Sequence, residues 1–437
     1  MNVIIPVETA SREMPYKVHL CNFLAYNGFS CYLGHKAYTR YLVEKMRNFI
    51  YLDKGYHKGK SKKLYNQVKN NNGIVISLDE EGGIDYEDNS TLLNVRYPKE
   101  MLDNVDYAFL WGKHQYNLLT NNVKNKNKLY VTGHPRFTLL KEPYHLLYEE
   151  EVNQIKDNFG DFVLINTNMG YGNNIRGHEF IINNYGKKFS DIHGMAEYSK
   201  SKVKNFISLA REISTKLNKK IIIRPHPEED SSTYSEAFLD NKFIHVLSEG
   251  SVIPWILASN VMIHADCTTA IESVFLGRKP ISFVQDHNPK YVTKVPVEVS
   301  TQYNKIEDVV EHIRALPNTL DSINEKDLSY LENYFSHSQD SFRAVTARIK
   351  MIGSKANTTS ISGLSVRDKL VLNFKALKLK LDIILGRNKL SESKLATFNN
   401  FEIKKMHSYS KEINNEFRGN SVTKVVEQLF LFENCTN

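Results

Sequence analysis

The sequence predicts an α/β protein built from two doubly wound domains, and three observations carry that prediction. Short apolar runs rich in β-branched residues recur over residues 1–284, and each delivers the chain to an abrupt polar point. Segments of helical periodicity alternate with these runs, as parallel β-α-β units require. The chain of 437 residues is also longer than one ordinary core serves.

Val3 to Val7 reads as a buried first strand. It runs into the polar turn Glu8-Thr9-Ala10-Ser11-Arg12-Glu13 and a helix that includes Val18, Leu20, Phe23 and Leu24. Phe29 to Leu33, entered through Asn27-Gly28, is the second strand and completes the opening β-α-β unit. Glu8 and Arg12 lie where the first strand ends, the side on which such sheets bind ligands. They are candidate acceptor-side residues, or they cap the helix or pair with each other.

A helix follows around Tyr38 to Arg47, then a strand near Phe49 to Leu52. The Lys-rich segment Lys54 to Lys63 reads as a solvated basic loop. The strand Gly73 to Leu78 terminates in Asp79-Glu80-Glu81-Gly82-Gly83. Adjacent carboxylates repel unless something uses them, and such neighbours raise a carboxyl pKa toward working pH. The triple is therefore a candidate general base. An acidic turn opening a helix has the same composition. Val105 to Trp111 is a further strand, followed by a helix through Tyr116 and Leu119. Leu129 to Thr132 ends at Gly133-His134-Pro135-Arg136, which we assign to an interdomain hinge with a packing role.

The charged helical stretch Tyr148 to Asn158 places the domain boundary near Asp157. Phe162 to Ile165 then opens a second sheet and leads to Asn166-Thr167-Asn168-Met169-Gly170-Tyr171-Gly172. A glycine loop there brings backbone N–H groups close to a phosphate or base, which makes Asn168 and Gly170 candidate ligand residues. A helix Val203 to Leu217 precedes the strand Ile221-Ile222-Ile223, which delivers Arg224-Pro225-His226-Pro227. Phe243 to Val246 is a strand and Val252 to Leu257 a short helix. Met262-Ile263-His264 delivers Asp266-Cys267-Thr268-Thr269, where a helix starts at once, and Ile281 to Val284 is the next strand. A rigid, Pro-flanked His226 and the hydroxyls of Thr268 and Thr269 suit a phosphate-bearing ligand.

Helical periodicity returns from Ile306 to about Ile352. Residues 353–365 read as a linker from their Ser, Thr and Asn content, and 366–437 as a basic helical tail. In that tail Leu370, Phe374, Leu377, Leu381 and Ile384 share a face, with Lys369, Lys375, Lys378 and Lys380 around it. The run rests on an anionic membrane surface or docks on the body of the protein.

Composition narrows the function classes. The formal net charge of +8 favours an anionic ligand or surface. Basic residues alternate with acidic ones and no reading module is evident, which argues against nucleic acid. Four scattered cysteines, Cys21, Cys31, Cys267 and Cys435, give neither zinc spacing nor a disulfide framework, so we expect no metal and a reducing cytoplasm. No stretch approaches the ~20 apolar residues of a membrane span, and the amino-terminal strand has no basic leader.

Three separated motifs, Asp79-Glu80-Glu81-Gly82, Arg224-Pro225-His226-Pro227 and Cys267-Thr268-Thr269-Ala270-Ile271-Glu272-Ser273 with Gly277-Arg278-Lys279-Pro280, give a resemblance over about residues 1–350. The sequence resembles bacterial surface-carbohydrate biosynthesis proteins similar to the GT-B glycosyltransferases that use CMP-sugars, such as Kdo transferases and bacterial sialyltransferases. That resemblance implies a GT-B-like fold: two Rossmann-like domains facing a cleft, with a C-terminal helical extension. Residues 1–157 would be the acceptor domain and 158–352 the donor domain with its closing helices.

The resemblance further implies an inverting, metal-independent transfer of Kdo or another nonulosonate from a CMP-sugar to a lipopolysaccharide or capsule glycan, with no cofactor. Glu80 or Glu81 would be the base, with Asp79 making an acidic triple in which its identity stays open. His226 would assist the leaving phosphate, Thr268 and Thr269 would hold it beside Arg224 and Pro227, and Glu272 would reach the ribose hydroxyls. Expected partners are the nucleotide sugar, a glycan or lipid-linked glycan acceptor and, through the basic tail, the cytoplasmic face of the inner membrane. A CDP-alditol phosphotransferase of the teichoic-acid type, a nucleotide-sugar 2-epimerase and a non-catalytic glycan-assembly protein remain alternatives.

Overall fold

The computed structural model describes residues 1–435 except 86–88, 187, 188, 190, 317–322, 357–363, 386–394 and 396. The chain forms two compact units: Met1–Asp85, Asn89–Leu147 and Leu331–Asn437 make the first, and Tyr148–Tyr330 belong to the second.

Six parallel strands form the body of the first unit: β1 (Asn2–Val7), β2 (Ser30–His35), β3 (Phe49–Asp53), β4 (Ile74–Leu78), β5 (Tyr107–Leu110) and β6 (Leu129–Val131). They read as near-continuous apolar runs because both faces of the sheet are covered. Alternate residues go to opposite cores: Val3, Ile5 and Val7 to one, Ile4 to the other. The first face is covered by helix Ala10–Tyr26 together with Phe342, Val345 and Ile349 of helix Ser341–Lys355. The second is covered by residues of helices Lys36–Lys45 and Ser61–Asn70.

The second unit holds β7 (Phe162–Asn166), β8 (Lys220–Arg224), β9 (Ile244–Val246), β10 (Val261–His264), β11 (Ile281–Phe283) and β12 (Thr301–Tyr303), all parallel, in the order β12-β11-β10-β7-β8-β9. Helix Ile192–Leu217 buries Val203, Phe206, Leu209, Ala210 and Ile213 against Val163, Ile165, Ile221 and Ile263. Those helix positions follow the three-and-four spacing of one face.

The carboxyl-terminal part differs most from the sequence reading. Helices Val366–Ile384 and Asn400–Ile413 are present, but the chain then forms an antiparallel hairpin, β13 (Asn420–Val426) and β14 (Leu429–Asn434). β14 pairs antiparallel with β2 and extends the first sheet to the order β13-β14-β2-β1-β3-β4-β5-β6. The tail is therefore part of the first unit's sheet, held there by the fully buried Leu429, Phe430 and Phe432. Helix Ser341–Lys355, expected to close the second domain, also packs in the first unit's core. Most of the expected linker lies outside the described residues. The Lys-rich loop is shorter than expected, because Ser61–Asn70 is a helix whose Tyr65 and Val68 are fully buried.

Candidate functional site

In the first unit the carboxyl ends of three adjacent strands carry the chemistry. β1 leads to Glu8, β3 to Lys54, and β4 to Asp79-Glu80-Glu81. The strand order turns at β1, which has β2 on one side and β3 on the other, and such switch points are where open α/β sheets bind ligands.

A buried chain of alternating charges joins these ends. Lys54 Nζ lies 3.0 Å from Glu8 Oε2 and 2.7 Å from Glu13 Oε1. Glu13 in turn pairs with Lys17 at 2.6 Å, and Lys17 reaches Glu80 Oε1 at 3.0 Å. Lys36 also pairs with Glu8, and the Tyr16 hydroxyl donates to Glu80. Charges this deep persist only when paired and hydrogen-bonded.

The three acids, indistinguishable by composition, occupy different environments. Glu80 is buried; burial pushes its carboxyl up, but Lys17 and the surrounding cations outweigh that and hold it below the ordinary range. Asp79 is fully buried, with Arg96 only at 3.9 Å, and burial pushes its carboxyl up to about 7. The Glu81 side chain is 46% exposed and is held by Arg12 at 3.2 Å and by Arg96. Glu8 and Arg12 thus do not pair with each other: Glu8 takes two lysines, and Arg12 joins the acidic triple. The two glycines after the triple answer to packing. A Cβ on Gly83 would meet the Trp111 ring at 1.8 Å, and one on Gly82 the Tyr97 ring at 2.8 Å.

His134, read as a hinge residue, lies fully buried with Nε2 3.9 Å from Glu80 Oε2, edge-on to Tyr16. Burial lowers its pKa to about 3, so the ring is neutral. Lys54, read as part of a solvated loop, is among the most enclosed cations of the cluster. Sequence reasoning also missed Glu13, Tyr16, Lys17 and Arg96. One local signal was present: Glu13 and Lys17 stand four apart, the spacing at which opposite charges on a helix meet.

The second unit builds its site from the loops after β7, β8 and β10. The strand order turns between β7 and β10. Two buried carboxylates knit the loops together. Glu229 accepts from Thr167 Oγ1 at 2.7 Å, Met169 N at 2.9 Å, His226 N at 3.2 Å and the Tyr234 hydroxyl at 2.6 Å, which ties the β8 loop to the β7 loop. Asp266 accepts from Asn168 Nδ2 at 3.1 Å, Lys202 Nζ at 2.9 Å and Thr293 N at 3.1 Å, which ties the β10 loop to the β7 loop. Burial raises the Asp266 carboxyl, but Lys202 and these donors keep it below its ordinary pKa. Asn166 Nδ2 adds a contact to Thr269 Oγ1 at 3.4 Å.

On this scaffold His226, Pro227 and Thr268 are exposed, and Asn168, Gly170, Thr269 and Glu272 are half-buried. His226 Nδ1 accepts the Glu228 N–H at 3.2 Å, which fixes the orientation of the ring on its loop. Arg224 turns elsewhere: it is buried, its Nη2 donates to the carbonyls of Glu249 and Gly250, and it stacks 5.0 Å from the Trp255 ring. It braces the loop after β9. Gly170 has room for a side chain, whereas a Cβ on Gly172 would meet the backbone of Lys200 at 2.3 Å, so the close-approach glycine of this loop is Gly172. Glu229 and Asp266 were missed as organisers, since acids after a strand read equally well as helix caps.

No protein-family model matches the chain, and no curated protein matches it. Solved structures do. The structure of UDP-GlcNAc 2-epimerase from Methanocaldococcus jannaschii aligns with a TM-score of 0.51 at 12% identity, over 80% of this chain and 100% of that one. The same epimerase in complex with UDP-GlcNAc and UDP gives 0.49 at 12% identity over the same shares. The wall teichoic acid polymerase TagF gives 0.45 at 12% identity, over 82% of this chain and 88% of that one. The chain is thus an α/β protein with two parallel-rich, Rossmann-like sheets, similar in fold to an epimerase of GT-B-like architecture.

Proposed function

We propose that this chain is a glycosyltransferase that binds the phosphate of a nucleotide sugar on the second unit and activates an acceptor hydroxyl on the first. The observation that supports it most is the second unit's site. Three strand-end loops, cross-braced by Glu229 and Asp266, carry the exposed side chains of His226 and Thr268 at the carboxyl ends of their strands. A leaving nucleotide gains negative charge on its phosphate, and preorganised donors stabilise that charge without reorganising during reaction. Asn168 and Thr269 line the same loops, and Glu272 is the residue we assign to the ribose hydroxyls.

On the first unit access decides before basicity. Glu81 is the acid of the triple that an acceptor reaches, with Arg12 and Arg96 fixing its carboxylate; Glu80 anchors the buried charges behind it. The acceptor oxygen attacks the anomeric carbon, the bond from that carbon to the phosphate oxygen breaks, and the acceptor proton passes to Glu81. Configuration inverts. The donor we propose is a CMP-linked acidic sugar such as Kdo, and the acceptor a surface glycan.

Calorimetry with CMP, CDP and UDP, followed by transfer assays with the matching sugars and with CDP-glycerol, tests this. CMP should bind, and His226→Ala should weaken it by roughly tenfold or more, the worth of one hydrogen bond to a charged group. Transfer from CDP-glycerol alone would move the reading to an alditol phosphotransferase. Conversion of a nucleotide sugar without acceptor would move it to an epimerase. No nucleotide binding by the wild-type chain would sink it.

A further inference from the structure

Helix Val366–Ile384 carries two apolar faces. One is docked: Leu372 is fully buried, and Val371, Ala376 and Leu379 lie beside it against the core that contains Tyr41, Leu42 and Val43. Asp368 belongs to this inward side, accepting from the Tyr41 hydroxyl at 2.8 Å. The other face is open. Val366, Leu370, Phe374, Leu377, Leu381 and, past the helix, Leu385 are exposed by between 48 and 77%. Their steps of four, four, three, four and four keep them on one stripe about 100° wide. Scattered exposed apolar residues are ordinary, but a contiguous row marks a surface that another phase or molecule covers.

Charge identifies that phase. By helical rotation Arg367 and Lys378 border one edge of the stripe and Lys369 and Lys380 the other, and all four are exposed. A second copy of the same helix would bring like charges together along both borders. An anionic lipid surface accepts the apolar row into its acyl boundary while the long lysine and arginine arms reach its headgroups. We infer that helix Val366–Ile384 is an interfacial anchor that lays the first unit on an anionic bilayer. The inference does not depend on the catalytic reading.

Co-sedimentation of the full chain with vesicles of phosphatidylglycerol and phosphatidylcholine in equal parts, against vesicles of phosphatidylcholine alone, tests it. The chain should bind the anionic vesicles, bind the neutral ones weakly and come off as salt rises. Phe374→Glu with Leu377→Glu should weaken vesicle binding about tenfold or more while leaving the melting transition unchanged, because neither side chain is docked. Lys369→Ser with Lys380→Ser should remove most of the preference for anionic vesicles. Equal binding by the Phe374/Leu377 variant, or no binding by the wild-type chain, would overturn the assignment. So would a concentration-dependent dimer that the same two substitutions abolish, which would give the stripe to a second copy.

Discussion

Glu229 is the residue on which most of the second site's geometry converges. Its carboxylate satisfies four donors drawn from two loops and from Tyr234, so Glu229→Ala strands all of them in a buried place. Each unpaired buried donor costs about 1–3 kcal/mol, partly relieved by relaxation. We expect a loss of stability on the order of 4 kcal/mol in urea unfolding, together with loss of nucleotide binding. Asp79 gives a prediction of opposite sign. Its folded carboxyl takes a proton near pH 7, whereas the unfolded one does so near 3.8, so between those values the folded chain binds more protons. Its contribution is therefore present at low pH and lost as pH rises through about 7. Asp79→Asn should stabilise the chain at pH 8 by up to about 4 kcal/mol, and the difference from wild type should vanish by about pH 4. Unfolding curves at the two pH values check it; equal stabilities at pH 8 would mean that Arg96 compensates the buried charge. Of the candidate residues, His226 and Thr268 were legible in the sequence because Pro and strand-end punctuation act locally. Glu13, Lys17 and Lys54 were not, since nothing beside Lys54 in sequence shows that its partner Glu13 is forty-one residues away.

At the scale of elements, the hairpin β13–β14 changes what the carboxyl-terminal region does. β14 covers the edge of β2, with Leu429, Phe430 and Phe432 buried on its two faces. Without it β2 becomes an open, flat, apolar edge, the kind that pairs with other chains. Truncation before Asn420 should leave the chain aggregation-prone and lower its melting temperature; size-exclusion chromatography and a thermal scan check both. An unchanged monomer with an unchanged melt would show that the hairpin is an ornament. The parallel strands β1 to β11 were foreseeable one by one, as each is a short apolar run ended by a polar or glycine turn; β12, the half-exposed Thr301–Tyr303, was missed because it carries no such run. The hairpin was not, because Val422, Leu431 and their neighbours carry alternation that reads as tail until β2 is known to lack a neighbour on that side. Helix Val366–Ile384 shows the same limit: its row of apolar residues was visible, but which of its two apolar faces docks is decided by Leu372 meeting the core around Tyr41.

At the scale of the whole molecule the two units differ in continuity. The second is built essentially from one stretch, Tyr148–Tyr330, with its own core, whereas the first takes segments from both ends of the chain. Expressed alone, 148–330 should unfold cooperatively and retain the nucleotide-induced thermal shift of the full chain, while 1–147 alone should not fold, lacking Phe342, Val345, Phe430 and Phe432 from its core. Among the described residues no helix is long and apolar enough to cross a membrane, so the proposed lipid contact is one of surface attachment. The sequence by itself determined the fold class, the order of strands β1 to β11 along the chain and the points where they deliver polar groups. Those follow from apolar periodicity and turn chemistry, which act over a few residues. Only the tertiary structure decided which acid of Asp79-Glu80-Glu81 is open, which lysines are buried, that Arg224 braces a loop, and that the chain's last strands complete its first sheet. Burial and charge pairing are properties of groups brought together from distant positions, and they exist only once the chain has closed on itself.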